Sequence, residues 1–203
     1  MVIIDISADT LTAPVYPGDP APRVESLRSI HAGDDCNLSA LYSCVHSGTH
    51  ADAPLHFIDK GAAIDEIPLE AFIGPCRVVA VPDGIITAEY VDNHFSHRCE
   101  RILVKGGGRA FFMDSSAEAV VALGVKLIGT DAQSLGYSGN QIKPHKAFLS
   151  AGVAVLEGLC LEDVEPGEYF LIAPPVKLAG LEGAPARALL IEDYIFWGTG
   201  HSL

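Results

Sequence analysis

Short apolar runs closed by glycine or proline are the feature that most limits how this chain can fold. The 203 residues contain 20 Gly and 13 Pro spread along the whole length, a pattern that suits many short elements joined by turns. VIIDIS at the N-terminus reads as a strand, and TAPVYPGDPAP is too rich in proline for regular structure and reads as an ordered loop. LSALYSCVHS reads as extended. Cys76 to Val81 (CRVVAV) is a β-branched run ended by Pro82-Asp83-Gly84, hence a buried strand followed by a turn, and RILVKGGG from Arg101 to Gly108 repeats the pattern. Ser115-Ser116-Ala117-Glu118 has the form of a capping box, with AEAVVAL after it and Gly124 suited to the left-handed position that ends a helix. VKLIGTD, VAVLEGL, YFLIAP and ARALLIE read as strands. Pro144 suits the first turn of a second helix, PHKAFLSA, closed by Gly152. About seven or eight strands against two or three helices, with strand–helix–strand runs near 101–130 and 125–157, predict an α/β fold with mixed sheets. No linker long enough to separate two units interrupts it, so residues 1–203 are expected to form a single domain.

Charge narrows the function classes. The chain has 13 Lys and Arg against 26 Asp and Glu, a net charge of −13. A general nucleic-acid binder needs a basic patch to displace counterions from phosphates, so no nucleic-acid partner is expected. Electrostatic docking to an anionic membrane is disfavoured for the same reason. The longest apolar runs, such as Ala186 to Ile191 with Arg187 inside, fall far short of the roughly 20 residues of a membrane span. MVIIDISADT has no basic n-region, so no signal peptide is expected. The five cysteines (Cys36, Cys44, Cys76, Cys99, Cys160) are odd in number and contain no C-x-x-C pair. They read as reduced and mostly buried, in a cytoplasmic protein.

One stretch is dense in metal-binding side chains: His46-Ser47-Gly48-Thr49-His50-Ala51-Asp52-Ala53-Pro54-Leu55-His56-Phe57. The i, i+4 spacing of His46 and His50 would suit a helix, but Gly48, Thr49 and Pro54 oppose one. In a flat strand the two histidines would stand roughly 13 Å apart, whereas two nitrogens on one ion each lie about 2.1 Å from it. The chain must therefore bend, and Gly48 makes a sharp bend inexpensive. The segment predicts a strand that turns at Gly48-Thr49 and wraps a cation, with Pro54 redirecting His56 toward the same point. The plainer alternative is a set of structural histidines. G-x-S-x-G and G-x-G-x-x-G do not occur, and Gly106-Gly107-Gly108 is too short to act as a phosphate loop.

HSGTHADAPLHF resembles the HxGTHxDxPxHF signature of the metal-dependent cyclase family, which includes bacterial kynurenine formamidases (arylformamidases) and isatin hydrolases, and it satisfies every fixed position. PVYPGDP, LEAFIGPCRVV, GVKLIGTDAQSL, HKAFLSAGVAVLEGL and GAPARALL resemble further blocks of that family. The resemblance implies a swivelling β/β/α arrangement and a homodimer or higher homo-oligomer. It implies His46, His50, Asp52, His145 and Glu157 as ligands for one or two divalent ions per subunit, Zn²⁺ or Mn²⁺, with Asp52 able to bridge, and His56 as general acid/base. Glu157 interrupts an apolar strand, where an unpaired carboxylate would be costly to bury. Read from the residues alone, however, Glu157 could face solvent at a sheet edge, and His145 could be an exposed helical residue.

Tyr16 stands where the formamidases carry Trp; it can still stack on an aromatic substrate but is smaller and bears a hydroxyl. Trp197 in the tail suits either an interface anchor or a substrate wall. The implied activity is hydrolysis of a small aromatic amide, as in the conversion of N-formylkynurenine to kynurenine and formate. The competing expectations are a hydrolase of isatin or another cyclic amide or imide, a non-catalytic metal- or metabolite-binding protein, and an interaction protein.

Overall fold

The computed structural model describes residues 1–95 and 98–193. Thirteen strands occur among them: β1 (Val2–Asp5), β2 (Arg23–Arg28), β3 (Leu38–Tyr42), β4 (His50–Asp52), β5 (Ile73–Ala80), β6 (Gly84–Ile86), β7 (Arg101–Lys105), β8 (Ala110–Phe112), β9 (Leu127–Thr130), β10 (Ala154–Glu157), β11 (Gly167–Ile172), β12 (Gly183–Pro185) and β13 (Leu189–Glu192). The helices are α1 (Ala88–His94), α2 (Asp114–Ala122) and α3 (Ile142–Ser150). Nine strands make one sheet in the order β1-β13-β11-β5-β7-β9-β10-β4-β12. Its centre, from β5 to β10, is parallel, and both flanks are antiparallel. The expected α/β class holds.

Both faces of the central strands are covered, which is why they read as continuous apolar runs rather than alternating ones. Ile102, Val104, Ile128 and Val155 face the layer of helices, packing with Val91, Val120 and Phe148. Leu103, Leu127 and Leu156, one residue out of phase, face the opposite core with Ile6, Ala51 and Phe72. The runs β7-α2-β9 and β9-α3-β10 are the strand–helix–strand units expected near 101–130 and 125–157.

The strand number exceeds the expected seven or eight because the additional strands are short or polar. β4, β6, β8 and β12 have three residues each, and β2 (RVESLR) is exposed at every position. Only Leu38–Tyr42 of the extended stretch LSALYSCVHS is a strand; the rest turns toward the site. α1 carries no apolar periodicity beyond Val91 and starts at a Thr87 cap whose hydroxyl accepts from Tyr90 N–H at 3.1 Å. The capping expectation at Ser115 is corrected. α2 begins at Asp114, with Met113 at the cap position two residues before Ser115; Ser115 is exposed, and Ser116 is the residue whose hydroxyl accepts from Met113 N–H and donates to Met113 C=O.

The cysteines also depart from expectation. All five are free, but only Cys76 is buried, while Cys36 and Cys160 are exposed. The N–H groups of Gly106, Gly107 and Gly108 all donate to the Asp131 carboxylate at 2.8–3.1 Å, so that loop holds an anion of this chain itself. No helix among the described residues is long and apolar enough to cross a membrane. Trp197 lies outside the described residues.

Candidate metal centre

The bend expected between His46 and His50 is present. His46 sits in a turn rather than a strand, and Gly48 adopts φ 66° at its tip, where an added Cβ would lie 2.9 Å from Thr10 Cα. The Thr49 hydroxyl accepts from Ala8 N–H and donates to Gly158 C=O, tying the turn to two neighbouring segments. The chain then enters β4, where His50 and Asp52 face one side and Ala51 the core on the other. Antiparallel pairing with β10 sets Glu157 directly across from His50. A single 3-10 turn over Pro54–His56 returns His56, whose ring stacks on that of His46 at 4.1 Å. His145 comes from α3, on the far side of Glu157.

All six side chains converge. His46 Nδ1 lies 3.0 Å from Asp52 Oδ1, and His50 Nε2 lies 3.4 Å from the same oxygen and 3.5 Å from Glu157 Oε2. His145 Nε2 lies 3.0 Å from Glu157 Oε1 and 3.6 Å from Asp52 Oδ2. Two sets of mutually close donor atoms result, His46-His50-Asp52 and Asp52-His145-Glu157, each within 4.8 Å and sharing Asp52. His145 and Glu157 are 1% and 4% exposed, so neither the exposed-helix nor the solvent-edge alternative applies.

Hydrogen bonds aim the rings. His50 Nδ1 meets Gly48 C=O at 2.9 Å and His145 Nδ1 meets Gln141 C=O at 2.6 Å, so each presents Nε2 to the centre. Glu157 Oε1 also accepts from Leu135 N–H at 2.7 Å. No hydrogen bond to either ring nitrogen of His56 occurs among the described residues, and Phe57 packs against that ring at 4.2 Å.

The electrostatics are those of charges forced together. Burial works to lower the His50 pKa, but hydrogen bonding to Asp52 and Glu157 outweighs it and lifts the value to about 10. His145, opposed by burial in the same way, is raised to about 9 by Glu157 and Asp52. Burial acts against the charged form of Asp52 too, yet His46 and His50 hold it well below the usual carboxylate range. Glu157 is also lowered, burial and the Asp52 charge opposing and His145 prevailing. Burial lowers the pKa of His56.

A divalent ion fits this donor set. Asp52 Oδ2 and His46 Nε2 are buried without a hydrogen-bond partner, and a carboxylate oxygen left so is costly unless a cation receives it. Nitrogen and carboxylate donors without thiolate suit Zn²⁺ or Mn²⁺.

A cleft of about 220 Å³ opens over the cluster, and Tyr16 is among the residues that line it. Asp19, Phe57, Gln133, Ser134 and Gln141 line it as well, and the sequence reading passed over them as contributors. Two signals were available. Gln141 precedes His145 by one helical turn, and Gln133-Ser134 follows the C-terminal end of a parallel strand, where open α/β sheets place their ligands.

Comparison with known proteins agrees with this geometry. A family model described as "Putative cyclase" matches residues 4–136. Kynurenine formamidase of Delftia acidovorans is 38% identical over 199 residues, covering 92% of this chain and 95% of that protein. A solved structure described as a "potential metal-dependent hydrolase with cyclase activity" is 30% identical, covers 93% of this chain and 96% of that one, and superposes with a TM-score of 0.78. Isatin hydrolase A of Labrenzia aggregata shares the fold at 22% identity, with 93% of each chain covered and a TM-score of 0.79.

Proposed function

The chain belongs to the Cyclase family, and from that premise we propose that it is a metal-dependent hydrolase of small aromatic amides, an arylformamidase whose substrate class includes N-formylkynurenine. The observation that carries the reading is the pair of buried donor sets sharing Asp52. They support His46, His50, Asp52, His145 and Glu157 as the residues that would hold one or two divalent ions, Asp52 belonging to both sets. Such an ion supplies Lewis acidity, polarising the amide carbonyl and making water a nucleophile near neutral pH.

The side chains divide the remaining work. His50 and His145 have their Nδ1 positions engaged by backbone carbonyls, so they hold fixed orientations and keep their protons out of the reaction. His56 has neither nitrogen engaged by the protein among the described residues, and burial favours its neutral form. It accepts the proton released as water adds to the formyl carbon and delivers it to the departing nitrogen as the C–N bond breaks, leaving formate and an arylamine. Tyr16 and Phe57 flank the cleft with aromatic surface for the ring.

The test is turnover by protein purified without chelator. Hydrolysis of N-formylkynurenine or simpler aryl formamides is expected with Zn²⁺ or Mn²⁺, abolished by chelation and restored by either ion. Turnover of isatin alone would move the substrate to ring amides. Absence of any metal-dependent amide hydrolysis would overturn the reading.

A further inference from the structure

The substrate cleft carries charge of one sign outside its ligand cluster. No Lys or Arg lines it, or either of the two cavities that adjoin it, among the described residues. Beyond the histidines and Glu157, the charged side chain on the cleft wall is Asp19. The larger adjoining cavity adds Asp131, whose carboxylate is already held by the N–H groups of Gly106, Gly107 and Gly108. Asp19 has no ion-pair partner among the described residues; Cys44 Sγ–H donates to its Oδ2 at 3.7 Å, a weak contact that leaves Oδ1 open.

Asp19 is also held in place. Its N–H donates to Tyr16 C=O at 3.0 Å, closing a tight turn, and both residues line the same cleft. Tyr16 and the chain leading into it are tied down: the Gln133 side chain donates to Pro14 C=O at 2.7 Å, and the Gln141 side chain donates to the Tyr16 hydroxyl. A carboxylate on a turn held in this way, in a cleft lined by no Lys or Arg among the described residues, is a receptor for an ammonium group. It also repels an anionic substituent, and the net charge of −13 acts in the same sense.

Resting on the arylformamidase reading, we propose that Asp19 is a specificity-determining residue that receives a primary ammonium on the aromatic amide. The preferred substrate is then an amine-bearing aryl formamide, and a carboxylate on the same side arm gains nothing from the cleft. This separates three compounds that share one scissile bond: N-formylkynurenine with ammonium and carboxylate, its decarboxylated analogue with ammonium only, and its deaminated analogue with carboxylate only.

The experiment measures kcat/KM for the three with wild type, Asp19→Asn and Asp19→Glu, each checked for a native thermal melt. Wild type is expected to favour both ammonium-bearing compounds over the deaminated one. Asp19→Asn should shrink that preference about ten- to a hundredfold, chiefly through KM, the scale of one charge-assisted hydrogen bond. Asp19→Glu, which retains the charge, should keep most of it. An unchanged preference in Asp19→Asn, or a wild type indifferent to the ammonium, overturns the assignment while leaving formamide hydrolysis intact. A wild type inert toward all three compounds overturns the arylformamidase reading itself, and this one with it.

Discussion

Four histidines meet at one point, and their hydrogen bonds sort them. His46, His50 and His145 each have a ring nitrogen within 3.0 Å of a fixed oxygen, whereas His56 packs against neighbouring rings and has no hydrogen bond to either ring nitrogen among the described residues. That difference predicts opposite losses. His56→Ala should keep its metal, measured by elemental analysis, and lose about 10²- to 10⁴-fold in kcat, the usual worth of a positioned acid/base. Asp52→Ala should lose metal and activity together, because both donor sets share that side chain. Near-wild-type rates in metal-loaded His56→Ala would remove it from the chemistry. His46, His50 and Asp52 were legible as residue types at a spacing, whereas His145 and Glu157 were reached only through the family resemblance. The freedom of His56 was not legible, because it depends on what the other three rings bond to, and those partners lie in other segments.

At the scale of elements, the site is the product of one turn and one strand register. Gly48 lets the chain reverse in a left-handed conformation, and the pairing of β4 with β10 places Glu157 opposite His50. Gly48→Ala meets both the conformational cost and the backbone of Thr10. It should destabilise the protein by about 1–3 kcal/mol and lower metal occupancy, as read by chemical denaturation and elemental analysis. A variant with native stability and full metal would show that the turn is not what gathers the ligands. The need for a bend at Gly48 followed from distance alone. The strand that receives it did not: β4 has three residues and β12 three, below the length at which a pattern can be recognised, and they exist as strands because β10 pairs with one and that one with the other.

At the scale of the whole molecule, the fold gathers two carboxylates and three imidazoles in a largely buried place between its sheet and α3. Without an ion these groups stabilise one another by sharing protons. His50 and His145 have folded pKa values of about 10 and about 9, above the ordinary histidine value. Their contribution is therefore complete below about pH 6.5 and is lost as pH rises through 9 to 10. Asp52 and Glu157 are shifted down, so theirs is present above the ordinary carboxylate range and lost at lower pH. Chelated protein should accordingly lose thermal stability between pH 7 and about 10. Saturating Zn²⁺ or Mn²⁺ should remove that fall, since ligation replaces the protons and tightens as they leave. Matching melting profiles with and without chelator across this range would contradict a metal at the cluster.

Apolar runs, their glycine and proline stops and the crowding of His46, His50, Asp52 and His56 were sufficient to specify an α/β chain with a bent metal-binding segment, because those preferences act between residues a few positions apart. The conversion of those residues into a centre with His145 and Glu157, walled by Tyr16, Asp19 and Gln141, required the assembled sheet. Contacts such as His50 with Glu157 or Tyr16 with Gln141 join residues more than a hundred positions apart, and only the tertiary packing of strands, loops and α3 brings such residues into one site.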